Sequence, residues 1–214
     1  MHIEFYLDYL CPKCYLQHKE LEKMIKNKQI KKEDIVYRSY EMVDNHLFDH
    51  GLAFVDFISK YKHLPKEEVQ QFLKETNLEI SLFPIHNVHK MAHLAKKEKK
   101  SYAFNKAVFK AIYEEHKDLS FVHELRDLSL AIGLTENKVN QVFCSNLYSD
   151  AVISNKENGV LKGVESLPFL RINRSIKLEG LQHADAIIDA INEPIVKKTS
   201  EHCIGENCSR KRIH

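Results

Sequence analysis

The stretch HIEFYLDYLCPKC, residues 2–14, combines a strand-like pattern with two closely spaced cysteines. Its first part alternates in polarity and carries aromatic side chains, which is typical of a short β-strand. Cys11 and Pro12 follow at once, and a proline suits the first turn of a helix because its missing N–H would have no partner there. Apolar residues then recur at helical spacing. The pattern predicts a strand-to-helix turn that carries a Cys-x-x-Cys motif, Cys11 to Cys14.

The rest of the chain continues this opening as a helical block and a hairpin. Residues 34–40 alternate again and predict a second strand, so that the opening is a βαβ unit. Helices are then predicted near residues 51–62, 66–75, 88–98, 102–117, 121–132, 135–145 and 147–162. Residues 169–173 and 175–179 predict a hairpin, and residues 184–191 a last helix.

This order predicts an α/β protein: a thioredoxin-like fold, βαβ…ββα, interrupted by a large all-helical insertion. Residues 1–48 are assigned to the N-terminal part of the thioredoxin-like domain and residues 49–162 to the insertion. Residues 163–193 are assigned to the C-terminal part of the thioredoxin-like domain. Residues 194–214 are expected to be a flexible polar tail.

Composition narrows the class of protein. Of the 214 residues 43% are hydrophobic, with 6 Gly and 5 Pro, which excludes collagen and low-complexity disorder. The formal net charge of +2 argues against a dedicated nucleic-acid surface. The sequence has no apolar run long enough for a membrane span and no secretory signal pattern at its start. A cytoplasmic protein with neither a nucleic-acid nor a membrane partner is expected.

The Cys11–Cys14 motif has the residues that thiol chemistry requires. Cys11 is expected at the N-cap of the helix, where free N–H groups and the helix dipole favour an anion. A thiol there becomes a thiolate more readily, and the thiolate is the nucleophile. Cys14 lies one turn further on, within reach to resolve a mixed disulfide, and Lys13 adds positive charge. Half of a zinc site or a pair of inert thiols are the alternatives.

A second element is Leu167-Pro168, directly before the predicted strand 169–173. A proline that begins a strand can be an edge feature. It also occurs where the thioredoxin fold places a cis proline opposite the Cys-x-x-Cys motif. Because Pro168 cannot donate a hydrogen bond, the backbone of Leu167 is then free to pair with an extended substrate peptide.

Several motifs together resemble the FrnE-type branch of the DsbA-like thioredoxin superfamily, which comprises bacterial dithiol–disulfide oxidoreductases with a helical insertion. The resemblance covers residues 3 to 192. It rests on the stretches DYLCPKCY (8–15), AHLA (92–95), AIGL (131–134), GVESLPF (163–169) and GLQ (180–182). It implies that Cys11 is the attacking thiol, Cys14 the resolving thiol and Pro168 the cis proline.

By the same resemblance, the substrate groove is lined by Pro12, Lys13, Leu167 and Pro168. The chain departs from the family at two points beside this groove. Lys13 stands where the family often has tryptophan, and residues 165–167, Glu-Ser-Leu, replace the usual Val/Arg-Gly-Val. Both departures bear on the choice of substrate and on the redox potential, and neither bears on the chemistry.

The tail holds a second cysteine pair, Cys203 and Cys208, separated by four residues that include Gly205. Glycine allows a tight turn, and some FrnE-like proteins carry a similar C-terminal CX4C motif. The pair is a candidate second dithiol that exchanges with Cys11, since tethering gives a high effective concentration. Two incidental thiols, or a zinc site shared by both pairs, are the alternatives, and the separation in sequence does not support the zinc site.

Two further features have plainer interpretations. Cys144 is expected to be a small buried hydrophobic residue. His86, His89 and His93 share a spacing that lines one helix face, but His93 falls in the AHLA stretch, where a structural or groove-lining role is favoured over metal ligation.

The leading hypothesis is a cytosolic thiol–disulfide oxidoreductase that acts on protein disulfides. Disulfide isomerisation is one reaction that such an enzyme could carry out. It needs no cofactor besides its own disulfide. Its expected partners are client proteins with thiols or disulfides and a cellular thiol reductant or oxidant. A redox-sensing or zinc-binding adaptor is the second hypothesis. The third is an enzyme like the kappa-class glutathione transferases, which usually place Ser where Cys11 stands.

Overall fold

The computed structural model describes residues 1–43 and 52–193. Within these ranges the strands are β1 (Ile3–Leu7), β2 (Ile35–Ser39), β3 (Phe169–Ile172) and β4 (Ile176–Glu179). They form one sheet in the order β2-β1-β3-β4. β1 pairs parallel with β2 and antiparallel with β3, and β4 pairs antiparallel with β3. The strands predicted from alternation are therefore confirmed.

The helices agree with the sequence patterns. They are α1 (Pro12–Lys26), α2 (Phe54–Lys62), α3 (Lys66–Thr76), α4 (His86–Lys97), α5 (Ser101–Tyr113), α6 (Val122–Ala131), α7 (Glu136–Phe143), α8 (Ser149–Leu161) and α9 (Ala184–Asn192). Seven of them, α2 to α8, lie between β2 and β3 in the chain. The predicted α/β order of a βαβ unit, a helical block and a ββα unit is confirmed.

One predicted helix end is wrong. α5 was expected to reach residue 117 but ends at Tyr113. His116 has a φ of 53°, in the left-handed region, and the N–H of Lys117 donates back to the carbonyl of Ala111 at 2.8 Å. A left-handed residue followed by a hydrogen bond back to the last turn ends a helix. The spacing of apolar residues in the sequence does not reveal such an end.

The main core lies on one side of the sheet. Ile3, Phe5 and Leu7 alternate along β1 and pack in one cluster with Leu21 and Met24 of α1, and each is at most 1% exposed. Burial of such a side chain stabilises the fold by about 1.5–3 kcal/mol. Apolar residues of α4 and α5 join the same cluster, among them Val88, Met91, Phe104 and Val108. The helical block therefore shares its core with the βαβ unit.

The other side of the sheet is covered in part by α8. Tyr6, Tyr40 and Phe169 form a smaller cluster there, and the rings of Tyr6 and Phe169 meet edge to face at 5.9 Å. α8 approaches closely because it carries Gly159, where a Cβ atom would lie 3.0 Å from the Tyr40 ring. α2 and α3 enclose a third, separate cluster that includes Phe57.

None of the helices in residues 1–43 and 52–193 combines the length and the apolar character that a membrane span requires.

The close approach of α8 gives the first prediction. Gly159→Leu forces a side chain into the Tyr40 and Tyr6 rings and should lower the free energy of unfolding by about 2 kcal/mol. Asn158→Leu, on the exposed side of the same helix, is the matched control and should change it little. Urea denaturation followed by circular dichroism measures both. Equal effects of the two changes would show that α8 is not held by this contact.

Candidate active site at the start of the first helix

The β1–α1 turn places both cysteines of the motif at the first turn of α1. Cys11 is the N-cap residue, with extended backbone angles φ −88° and ψ 109°, and Pro12 occupies the first helical position. The N–H groups of Cys14 and Tyr15 donate to the carbonyl of Cys11 at 2.9 and 3.2 Å. The motif thus starts the helix, and the positive end of the helix dipole points at Cys11.

The two thiols are free and differ in exposure. Cys11 is 6% exposed and Cys14 is completely buried. Burial raises the pKa of the Cys14 thiol well above its usual range, and the hydrogen bond and charge of Cys11 raise it further. Cys14 is therefore held as a neutral thiol behind Cys11. Both cysteines are buried, and Cys11 is the more accessible of the two.

The Leu167-Pro168 segment lies against Cys11. The Cys11 sulfur is 3.9 Å from the carbonyl oxygen of Leu167, and the Leu167–Pro168 peptide bond is cis, as the resemblance implied. Pro168 is buried at the start of β3, and its carbonyl accepts a hydrogen bond from the N–H of Gly180 at 2.9 Å. Residues 156 positions apart in the sequence meet at this site.

Lys13 points away from the helix toward the helical block. Its side chain is exposed, and its ammonium lies 5.4 Å from the centre of the Phe72 ring of α3, within the range of a cation–π contact. Pro12, which was predicted beside it in the groove, is buried. Of the predicted groove residues, Lys13 is the one that connects the motif to α3.

Asp8, to which the sequence analysis gave no role, is the buried acid of the site. Its side chain is 1% exposed, and it accepts hydrogen bonds from the N–H groups of Leu10 at 2.7 Å and Met42 at 2.5 Å. Burial raises its pKa to about 7 although these two bonds lower it. The signal in the sequence was an acid between a buried strand and the motif, within three residues of Cys11.

A second group that sequence reasoning missed is an aromatic wall from α5. The Tyr113 hydroxyl donates to the backbone carbonyl of Tyr9 at 3.1 Å, and the rings of Tyr113 and Tyr15 stack at 4.5 Å. Burial raises the pKa of Tyr113, and the charges of Cys11 and Cys14 raise it further. Tyr113 is thus a neutral neighbour of the thiols. Nothing local in the α5 sequence marks this role.

The three histidines of α4 make separate contacts. His86 contacts Glu41 and Ser149, each at 3.1 Å, and His93 contacts Ser39 at 3.0 Å. His89 is completely buried against the Tyr9 ring at 4.9 Å. No group of histidine, cysteine or acidic residues in residues 1–43 and 52–193 is arranged to hold a metal ion.

The prediction for Cys144 is wrong, because its thiol is exposed. The buried side of α7 carries Val139 and Val142, and the helix ends at Phe143. Cys144 follows as the C-cap and so leaves the buried side. Cys203 and Cys208 of the tail lie outside the described residues.

The exposure of the thiols gives the second prediction. Iodoacetamide should alkylate Cys11 before Cys14 in the reduced protein at neutral pH, because Cys14 is buried and its raised pKa keeps it protonated. Peptide mass spectrometry at timed intervals measures the order, with the exposed Cys144 as an internal reference. Labelling of Cys14 as fast as Cys11 would contradict the arrangement.

The third prediction concerns Asp8 and the pH dependence of stability. Its pKa is about 7 in the folded chain and about 3.9 in an unfolded one, so between these values the folded state binds more protons. Stability contributed by this group therefore falls as pH rises from about 4 to about 7, by at most about 1.4 kcal/mol per pH unit. Above about pH 8 it is constant.

Asp8→Asn should remove that slope. Denaturation from pH 4 to pH 8 measures the unfolding free energy of the wild type and of Asp8→Asn. As pH rises through this range, the wild type should lose stability relative to the variant. Asp127→Asn, at an exposed position, is the control. Parallel curves for the wild type and Asp8→Asn would mean that Asp8 does not titrate there.

Comparisons with known proteins agree with this geometry. The family model of the DSBA-like thioredoxin domain matches residues 2–192. A search of curated proteins gave no match. Among solved structures, a probable DsbA oxidoreductase from Streptomyces coelicolor is similar with a TM-score of 0.69 and 19% identity, over 99% of this chain and 100% of that one.

Two other solved structures are similar at the level of the fold. A 2-hydroxychromene-2-carboxylate isomerase has a TM-score of 0.68 and 16% identity, over 89% of this chain and 94% of that one. The cytosolic disulfide reductase DsbM from Pseudomonas aeruginosa, solved with GSH, has a TM-score of 0.62 and 14% identity, over 84% of this chain and 90% of that one. Since the family model spans nearly the whole chain, this protein belongs to the DSBA-like thioredoxin domain family.

Proposed function

We propose that this protein is a thiol–disulfide oxidoreductase that acts on protein disulfides through Cys11 and Cys14. The observation that carries the proposal is the pairing of a slightly exposed N-cap thiol, Cys11, with a completely buried thiol, Cys14. The carbonyl of Leu167 beside Cys11 supports it. Such an arrangement suits a nucleophile with a resolving partner.

The reaction follows from these positions. In the reducing direction the Cys11 thiolate attacks one sulfur of a client disulfide, whose S–S bond breaks, and the released client thiolate takes up a proton. Cys14 then loses its proton and attacks the Cys11 sulfur of the mixed disulfide. The second client sulfur leaves as a thiolate and takes up a proton. The client disulfide has then been reduced by two electrons, and the Cys11–Cys14 pair has been oxidised to a disulfide. The same steps in reverse oxidise a client dithiol.

Asp8 has a pKa that suits assistance of the second step. The resolving thiol is buried and must lose a proton, and Asp8 is close enough that its charge raises the pKa of Cys14 while its backbone lowers it. A base with a pKa near the working pH suits such a transfer, and that of Asp8 is about 7. Asp8 is therefore assigned as the acceptor of the Cys14 proton.

Client binding is assigned to Lys13, Leu167 and Pro168, together with the buried Pro12. An extended client segment would pair with the backbone beside Leu167 and pass the exposed Lys13. The dithiol is itself the redox group, so the reaction requires no separate cofactor. The partners are client proteins and a cellular thiol reductant or oxidant. A cytoplasmic location agrees with the cytosolic DsbM, which is similar in fold.

The tail pair keeps its proposed role as a second dithiol. Cys203 and Cys208 would pass electrons to or from the Cys11–Cys14 pair within one molecule, at a rate independent of protein concentration. Truncation after Glu193 tests this, because a change in turnover or in the redox state of Cys11 supports the role and unchanged values refute it.

A glutathione-dependent enzyme is the second candidate. The solved DsbM structure contains GSH, and Lys13, an exposed residue of the motif, offers a cationic partner for a glutathione carboxylate. Retention of both cysteines favours disulfide exchange over a transferase or isomerase reaction. Turnover with glutathione as the reductant of the Cys11–Cys14 disulfide would fit the main proposal, whereas turnover independent of Cys14 would favour the second.

The fourth prediction tests the function. Cys11→Ser should abolish reduction of insulin disulfides, since the attacking sulfur is lost. Cys14→Ser should accumulate mixed disulfides with client proteins, seen as bands on non-reducing gels that disappear with dithiothreitol. Cys144→Ser is the control and should retain activity. A folded wild-type protein that reduces or oxidises no disulfide would favour the redox-sensing or zinc-binding adaptor.

A further inference from the structure

The side of the sheet that faces away from α1 holds a buried carboxylate surrounded by cations. Glu4 of β1 is 2% exposed. Its oxygens lie 2.6 Å from Nη2 of Arg38, 3.2 Å from Nη1 of Arg171 and 3.8 Å from Nζ of Lys162. Burial alone would raise the pKa of Glu4, but these cations outweigh it and lower the pKa. One negative charge is thus satisfied by three positive ones.

Two more lysines extend this cluster. Lys177 of β4 pairs in register with Arg171, and its ammonium lies 2.8 Å from where a Cβ of Gly163 would stand, next to Lys162. Lys96 of α4 is exposed and lines a cleft together with Arg38 at the β2 edge of the sheet. Partial burial lowers its pKa, and the charge of Arg38 lowers it further. We call these five residues the basic face: Arg38, Lys96, Lys162, Arg171 and Lys177.

The basic face has a surplus of positive charge. Strand residues of this side, by register and alternation, are Val36, Arg38, Glu4, Tyr6, Phe169, Arg171, Lys177 and Glu179. Two carboxylates stand among them: Glu4 is enclosed, and Glu179 accepts a hydrogen bond from the Ser166 hydroxyl at 2.8 Å. The pKa of His93, lowered to about 4 by burial and then by Lys96 and Arg38, responds to the same positive field.

The basic face lies within reach of the candidate active site along β3. Pro168 precedes β3 and lies in the segment that contacts Cys11, and Arg171 is three residues further along this chain. At about 3.3 Å per residue, the two backbone positions are roughly 10 Å apart. A client whose disulfide is at Cys11 can therefore reach the basic face with a neighbouring segment.

We propose that the basic face binds acidic segments of client proteins and so selects the clients whose disulfides reach Cys11. This inference rests on the proposed function and names its substrate class. Exposed lysines attract carboxylates and accelerate encounter. A nucleic acid fits less well, because Tyr6 and Phe169 are at most 2% exposed and offer no ring on which a base can stack.

The test uses the full chain and two synthetic peptides that contain the same disulfide, one with a glutamate tail and one with a glutamine tail. The variant is Lys96→Glu with Lys177→Glu, which spares the arginines that hold Glu4. The matched control is Lys26→Glu with Lys28→Glu, at exposed positions at the end of α1 and just after it, on the other side of the sheet. The rate of reduction gives KM and kcat for each pair.

The wild type should show a KM about tenfold lower for the glutamate peptide, and the Lys96/Lys177 variant should lose this preference with kcat unchanged. The preference should also disappear in about 0.5 M salt. Equal KM values for both peptides, equal effects of the control variant, or stronger competition by an oligonucleotide than by polyglutamate would overturn the proposal. Failure to reduce the glutamine peptide at all would instead refute the proposed function.

Discussion

The buried carboxylate of Asp8 holds the turn on which the site depends. It ties the N–H of Leu10, just before the motif, to the N–H of Met42, just beyond β2. These bonds fix the path of the chain from the central strand into α1 and so the position of Cys11. A buried carboxyl group is costly unless it is hydrogen-bonded, and the two backbone donors supply that compensation. The same burial gives Asp8 a pKa suited to proton transfer.

The sheet divides the molecule into two environments with different roles. On one side β1 contributes only apolar side chains, and these pack with α1, α4 and α5 in the main core. On the other side Glu4, Arg38 and Arg171 replace part of that core with a network of ion pairs. Hydrophobic burial therefore supplies most of the stability from one side, which leaves the other side free to carry charge.

The helices between β2 and β3 complete the site as well as the core. α5 places the Tyr113 hydroxyl on the carbonyl of Tyr9, just before the motif. α3 places Phe72 over the Lys13 ammonium, and the segment after α8 brings Leu167 to Cys11. Each of these contacts joins parts of the chain that are far apart in sequence. A thioredoxin-like unit without this block would lack the walls that surround its dithiol.

The order of strands and helices and the location of the dithiol could be predicted from local patterns in the amino-acid sequence. Alternation and helical spacing are local properties, so the four strands and the helices followed from them with ends a few residues off, and the end of α5 was missed at a left-handed residue. Cys11 and Cys14 were identified because the whole motif, with the proline between the cysteines, lies within four consecutive residues. The burial of Asp8, the exposure of Cys144 and the grouping of Arg38, Lys162 and Arg171 around Glu4 came from the tertiary structure. Burial and electrostatic potential depend on which distant segments pack together, and no window of the sequence contains that information.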